Sequence, residues 1–390
     1  MLRRAGRLAH YWPLMMILLL GGGASFFGGF LWRGNSGVAE QQRGRFKVRR
    51  RKNEESVVPE PEADPAGRVI GEFEHQSAIL LGCNELLEYH PQALLDIVAA
   101  IHERVGIVGL IWDEKQQTRT VALLKDHGLP EDAIDFFVWP AKSMWVRDFG
   151  PFFLVKGKQA AVVDYAYTPP NRDQEGLFGV SLAATFGFPF ERAELSFEGG
   201  NLLTNGEGLC VTTNILFGQN SSRGYDAQQI GRILHDKFHF ERWTYLKPLV
   251  GEPTGHVDMS VTFCAPNLAV VGQYNTADDD ENAKILDENV GLLAGAPTKE
   301  GPLQVERIPM PSHKDGVWRT YTNVIYANGT LLVPQFPQTD AALDKVALDT
   351  YRRLLPNWKI VGIDCSGLAA KRGDLHCISL SIPLLSDEQP

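Results

Sequence analysis

The sequence predicts an α/β or α+β protein in which short strands alternate with amphipathic helices from about residue 68 to the end. Three observations carry this. Over 91–105 apolar residues recur at helical spacing, with Leu94, Leu95, Ile97, Val98 and Ile101 on one face. On either side, 77–83 and 106–112 are short apolar runs that read as strands. The alternation then continues through a helix over 118–127, a strand over 134–139 and helices over 227–237, 278–294 and 339–355, in similar units spaced roughly 60 residues apart.

With 390 residues, 44% hydrophobic and 22% charged, the chain can bury a large core as one large domain or two average ones. Its five cysteines (Cys83, Cys210, Cys264, Cys365 and Cys377) are odd in number, far apart and free of any Cys-x-x-Cys pair, so they suggest neither a disulfide framework nor a zinc site. Residues 1–66 hold 11 Lys/Arg and 6 Asp/Glu, or +5, leaving 27 and 41, or −14, for residues 67–390. An acidic body argues against general nucleic-acid binding and is compatible with a cationic substrate.

Residues 1–32 read as an N-terminal membrane anchor or an uncleaved signal segment. An uncharged run from Tyr11 to Trp32 follows three arginines, carries aromatic residues at both ends and is long enough to span a bilayer. Its glycines lower helix propensity, and no small-residue cleavage site stands out. Residues 33–66 read as a disordered linker, first basic and then rich in Glu and Pro. Its basic run suits a juxtamembrane tether beside anionic lipid rather than a nucleic-acid site. The excess of Lys/Arg after the span would put the body on the cytoplasmic side, against the usual orientation of an N-terminal anchor, so the side stays open. The body is 67–390.

Polar clusters punctuate the body at strand ends. Trp145-Val146-Arg147-Asp148-Phe149-Gly150-Pro151 places an acid and an arginine before the apolar run 152–155, although Gly150-Pro151 also serves a plain turn. In Glu198-Gly199-Gly200-Asn201, two glycines let backbone approach another group closely with the carboxylate aimed at it, or simply form a bulge. Gly255-His256-Val257-Asp258, read as an extended strand, would present an imidazole and a carboxylate on one face. The further ligands of a metal site are missing, which favours acid/base work. Tyr321-Thr322-Asn323 puts one amide on an apolar strand before the hairpin turn Asn328-Gly329. Last, His376-Cys377 leads from Gly373 into the alternating run Ile378, Leu380, Ile382. A free cysteine is more often a small buried hydrophobe than a nucleophile, so Cys377 needs a histidine and carboxylates to make it reactive.

These five motifs, in this order, resemble the guanidine-modifying enzymes, and among them the family that joins agmatine deiminases to Porphyromonas-type peptidylarginine deiminases; the resemblance covers about residues 70–385. It implies an α/β fold of five ββαβ units, the five-bladed propeller called the pentein fold, with the active site at its centre and neither metal nor organic cofactor. It implies further that Cys377 is the nucleophile, that Asp148 and Asp258 grip the guanidinium, that His256 moves protons and that Glu198 binds the guanidinium or orients His256. Trp145 would stack on the guanidinium face and Asn323 would complete the central hydrogen-bond network. Arg147 would be a structural partner, and strand alternation would turn His376 away from the site.

The implied reaction is hydrolysis of a guanidino group to a ureido group and ammonia. The partner is an arginine-bearing peptide or a small guanidino compound. Peptidylarginine is the main reading, since Lys371-Arg372-Gly373 stands where an agmatine deiminase is expected to carry a glycine run, and Arg172 could anchor a carboxylate that agmatine lacks. Agmatine is the alternative. An amidinotransferase and a non-catalytic arginine-binding module remain as further classes, the second disfavoured because Cys377, His256, Asp148, Asp258 and Glu198 are all present.

Overall fold

A computed structural model describes Val58, residues 66–157 and residues 159–383. The expected anchor over 1–32 and nearly all of the expected linker over 33–66 lie outside these residues. Among the described residues no helix is long and apolar enough to cross a membrane.

One unit recurs five times. Two antiparallel strands joined by a tight turn are followed by a helix and then by a strand parallel to the second. The helix is required because a parallel neighbour can be reached only by a crossover. In the first unit the strands Phe152–Lys156 and Gln159–Ala166 pair antiparallel, the helix Phe178–Phe186 crosses over, and Phe190–Ser196 adds in parallel. The second comprises Leu203–Thr204, Leu209–Thr213, helix Ala227–Phe238 and Arg242–Leu246. The third comprises Val261–Ala265, Leu268–Gln273, helix Asp280–Leu293 and Gln304–Pro309. The fourth comprises Ile325–Ala327, Thr330–Gln335, helix Ala341–Leu354 and Lys359–Asp364.

The fifth unit is split between distant parts of the chain. Its first strand is Ser379–Pro383, which pairs antiparallel with Gln76–Leu81. Helix Pro91–Ile101 and the parallel strand Gly106–Ile111 follow, and helix Glu114–Asp126 leads to an extra parallel strand, Asp135–Val138. The fold is thus α/β, and its five repeats are consistent with the five-bladed propeller that the resemblance implies.

Local chemistry explains most of these elements. The inner strands Gly106–Ile111 and Leu209–Thr213 are buried along their whole length, as strands covered on both faces must be. Asp226 and Gln229 form a reciprocal capping box that starts helix Ala227–Phe238. Asn328 and Gly329 both take left-handed backbone, the conformation a two-residue hairpin turn requires. The expected helix over 118–127 begins earlier, at Glu114, because Asp113 caps it through Gln116 N; its first turn is polar and gives no apolar period.

What positions the site is the lead-in to each unit. Asp148, Glu198, His256 with Asp258, Asn323 and Cys377 all lie two to five residues before the first strand of a unit. The repeat therefore carries one polar loop per unit to a shared place.

Candidate active site

Cys377 sits in a turn, with strand structure starting only at Ser379. Asn323 from the preceding unit shapes that turn. Its Oδ1 accepts the backbone N–H of His376 at 2.8 Å and of Cys377 at 3.2 Å, and its Nδ2 stands 3.3 Å from Cys377 Sγ. Asn323 lies two residues before the strand Ile325–Ala327 rather than on a strand, and from that loop its amide holds the cysteine turn. The thiol is 3.8 Å from Asp258 Oδ2 and is buried.

His256 and Asp258 are not on a strand, as the extended reading had them. His256 precedes a single 3-10 turn, Val257–Met259, and the strand begins at Val261. The two side chains still converge, because the turn closes against the backbone of the second unit. A Cβ on Gly200 would lie 2.7 Å from His256 Nδ1, 3.0 Å from Asp258 Oδ2 and 3.4 Å from Asp148 Oδ1, and one on Gly199 would lie 2.2 Å from Arg147 O. The glycine pair is thus the close approach anticipated from Glu198-Gly199-Gly200. Asn201 Oδ1 accepts the N–H groups of Thr213 and Val257, tying the second unit to the third.

His256 Nε2 donates to Glu198 Oε2 at 2.8 Å, and its Nδ1 stands 3.8 Å from Asp148 Oδ1. Glu198 therefore orients the imidazole and leaves Nδ1 to the cleft. Phe197 stacks on Tyr165 with centroids 4.0 Å apart, and the Tyr165 hydroxyl reaches the carbonyls of Asp148 and Gly150, at 2.7 and 3.0 Å, so one aromatic contact braces both carboxylate loops. Trp145 immediately precedes the short helix Val146–Phe149 and packs beside the nucleophile. A Cβ on Gly373 would lie 2.6 Å from the Trp145 ring and 3.1 Å from Cys377 Cβ.

The charges are arranged for a cation. Burial raises Asp148 to about 7, with Glu198 and Asp258 adding to the effect and His256 and Arg147 opposing it. Burial would lower His256, but its hydrogen bond to Glu198 and the negative fields of Asp148 and Asp258 prevail and raise it to about 9. Burial raises the Cys377 thiol well above its usual range, and Asp258 and Asp148 raise it further. Asp148 Oδ1 and Asp258 Oδ1 are buried without hydrogen-bond partners. Buried carboxylate oxygens with nothing to accept are costly, and they mark where a donor-rich ligand belongs. Among the described residues no group of three or more His, Cys, Asp or Glu side chains is placed to hold a metal ion.

Two residues lie otherwise than the sequence implied. His376 does not turn away: the alternation argument assumed a strand where the chain makes a turn, and the ring packs behind Asp258, donating from Nδ1 to its Oδ2 at 2.7 Å. Arg172 is not free to seek a carboxylate with its whole fork. Its Nη1 is paired with the buried Glu175 at 3.0 Å, and no hydrogen bond or ion pair joins Arg172 to the cysteine cluster. Lys371 extends over the Tyr89 ring, 5.8 Å from its centroid, and Arg372 takes left-handed backbone with φ of 76°. Glu72, which the sequence reading passed over, reaches His376 Nε2 at 2.9 Å and Arg147 at 2.6 Å. It lies 304 residues from His376 in the chain, and no local pattern around it signals the contact.

Comparison with known proteins places this arrangement. The model of the family described as Porphyromonas-type peptidyl-arginine deiminase matches residues 60–383. A Listeria monocytogenes protein named "Putative agmatine deiminase 1" is 24% identical over 365 residues, covering 81% of this chain and 96% of that protein. A crystal structure named "Putative Arginine Deiminase from Porphyromonas gingivalis" superposes with a TM-score of 0.71 at 25% identity, over 81% of this chain and 98% of that one. The agmatine deiminase of Enterococcus faecalis superposes with a TM-score of 0.69 over 85% of this chain and all of that one; at 20% identity this is a likeness of fold.

Proposed function

From the premise that the chain belongs to the Porphyromonas-type peptidyl-arginine deiminase family, we propose that its cleft hydrolyses a guanidino group to a ureido group and ammonia. The observation that carries the reading is the pair of buried oxygens on Asp148 and Asp258, beside Cys377, that have no hydrogen-bond partner. A guanidinium is planar, cationic and rich in N–H donors, and two carboxylates match that fork.

In the empty site the thiol is held protonated by burial and by Asp258 and Asp148. A bound guanidinium neutralises those carboxylates, so the cation that is to be attacked also favours the thiolate that attacks it. Cys377 Sγ adds to the guanidinium carbon. His256, charged at neutral pH, gives a proton from Nδ1 to one nitrogen, which leaves as ammonia and yields an S-alkyl thiouronium. The now neutral His256 takes a proton from water as the water oxygen adds to the same carbon. Collapse breaks the C–S bond and restores the thiolate, and the remaining hydroxyl proton passes to solvent, where the released ammonia takes it up as ammonium, leaving the neutral ureido product.

Arginine within a peptide is the principal substrate reading. It is supported by the matched family model and by Lys371-Arg372 in place of a glycine run before the cysteine. Agmatine is the second reading, favoured by the ion pair that occupies Arg172 and by relatives named for that substrate. The test is ammonia release and citrulline-type colour from the full-length protein with agmatine, free arginine and peptides carrying internal or C-terminal arginine. Turnover on none of them refutes deimination. Cys377→Ala is expected to abolish turnover and to keep substrate binding, and retained turnover would remove Cys377 from the mechanism.

A further inference from the structure

The segment that enters the body first ends up beneath the site. Arg68–Val69 pairs antiparallel with Val155 and Leu154 of the first unit, Arg68 grips Glu74 and the Gly206 carbonyl, and Gln76 N bonds Asn328 of the fourth unit. Residues 68–76 therefore form a strap that crosses from one unit to another. From its middle, Glu72 reaches inward. Together with Arg147 it borders a cavity of about 50 Å³ lined by Phe153, Leu203, Phe263 and Leu380, residues just beyond the polar lead-in of four units.

Glu72 accepts from Arg147 through one oxygen at 2.6 Å and from His376 Nε2 through the other at 2.9 Å, while His376 Nδ1 donates to Asp258 Oδ2 at 2.7 Å. An imidazole set between two carboxylate oxygens has to donate at both nitrogens, so His376 is an imidazolium. The result is a row of alternating charge, buried except at Glu72, which keeps 22% of its side chain exposed: Arg147 positive, Glu72 negative, His376 positive, Asp258 negative. It occupies Asp258 Oδ2 and leaves Oδ1 without a hydrogen-bond partner. Without Glu72, the ring would face Arg147 with no acceptor on that side, which disfavours the imidazolium. A neutral ring can take the tautomer that turns a lone pair toward Asp258, a fault known to disable hydrolases whose histidine loses its orienting carboxylate.

We propose that Glu72 is a positioning residue for the deimination, which holds His376 doubly donating and thereby fixes the carboxylate of Asp258 that receives the guanidinium. The inference rests on the deiminase reading above and extends it to a residue outside the five motifs. It also makes the N-terminal strap part of the catalytic unit.

The test uses the full-length protein and the change Glu72→Gln, which keeps the shape and removes the charge. The expected result is a folded protein with a lowered Tm, because one partner has been taken out of a largely buried charge row, and a kcat/KM per folded molecule about 100-fold lower. In a Cys377→Ala background, Glu72→Gln should weaken calorimetric binding of agmatine or an arginine peptide about tenfold. It should add nothing further once Asp258→Asn is present, because the effect passes through Asp258. Glu72→Asp, which keeps the charge, should recover part of the loss. A merely structural tie would lower Tm and leave kcat/KM and binding per folded molecule within twofold of the parent, and that outcome overturns the proposal. If Glu72→Gln does not fold, His376→Gln and Glu72→Asp take the same measurements under the same criterion. A parent protein that neither turns over nor binds any guanidino compound refutes the underlying reaction, a result distinct from an active parent with an indifferent Glu72.

Discussion

Asp148 offers the sharpest quantitative test, because a protonated carboxyl cannot hold a guanidinium ionically. Burial lifts it from 3.8 to about 7, so charging it in the empty cleft costs up to about 4 kcal/mol. A fifth of the side chain still meets solvent, which makes that figure an upper value. The groups that face Asp148 are His256, Glu198, Asp258 and Arg147, and His256 stays charged well past neutrality. Below pH 7 the fraction of protein competent to bind the cation therefore falls about tenfold per pH unit, and apparent affinity falls with it. At pH 5.5 binding should be roughly 30-fold weaker than at pH 8.5, where Asp148 is almost wholly ionised. The assay is calorimetric titration of Cys377→Ala, which removes the thiol from the balance, with agmatine or an arginine peptide in two buffers of different ionisation enthalpy. Nearly one proton should be released per ligand at pH 5.5 and almost none at pH 8.5. An affinity that is flat across this range, with no proton release, refutes the reasoning.

Other expectations follow from the same geometry. Asp148 and His256 both have folded values above their unfolded ones of 3.8 and 6.5, so each stabilises fully below its unfolded value, and the stability is lost as pH rises through about 7 and about 9. The empty protein should melt at progressively lower temperature from pH 5 to pH 9. Asp148→Asn should raise Tm at pH 8 by several degrees while abolishing turnover, and a lowered Tm would show that ionised Asp148 is not strained. Gly200→Ala would thrust a methyl to 2.7 Å from His256 Nδ1 and 3.0 Å from Asp258 Oδ2; steady-state assays should show kcat/KM down at least 100-fold, on the scale of misplacing a catalytic group by about 1 Å. Arg372→Gly should raise stability in urea unfolding by about 1 kcal/mol, since Arg372 sits exposed at φ of 76° where glycine has no penalty.

How much of this was legible in the sequence depends on where each signal resides. The long helices are written in periodicity, so 227–237, 278–294 and 339–355 fall within a few residues of Ala227–Phe238, Asp280–Leu293 and Ala341–Leu354. The hairpin at Asn328-Gly329 is written in turn chemistry. The five polar motifs were visible because each is a compact run of residues that a strand end does not otherwise need. Their conformation was less visible: His256-x-Asp258 and His376-Cys377 suggested strands and proved to be turns. Spacing of two residues is shared by strand alternation and by tight turns, and only tertiary packing against Gly200 and Asn323 decides between them. Residues 1–57 carry the membrane reading and lie outside the described residues.

Glu72 shows why the remainder was hidden. Its neighbours Gly71 and Phe73 give it no motif, and its partners Arg147 and His376 lie 75 and 304 residues away. In a chain whose units each contribute one lead-in loop to a common centre, the residues that act on substrate cluster in short motifs, because each loop has room for only a few side chains. A residue that acts through another can come from anywhere that reaches the back of the ring. The strap reaches it because its two ends are fixed in different units, by the pairing of Arg68 with Val155 and by the bond from Gln76 to Asn328. Folding the ring is thus what brings Glu72 to His376, and the charge state of the Asp258 loop follows from closing the fifth unit between the two ends of the described chain.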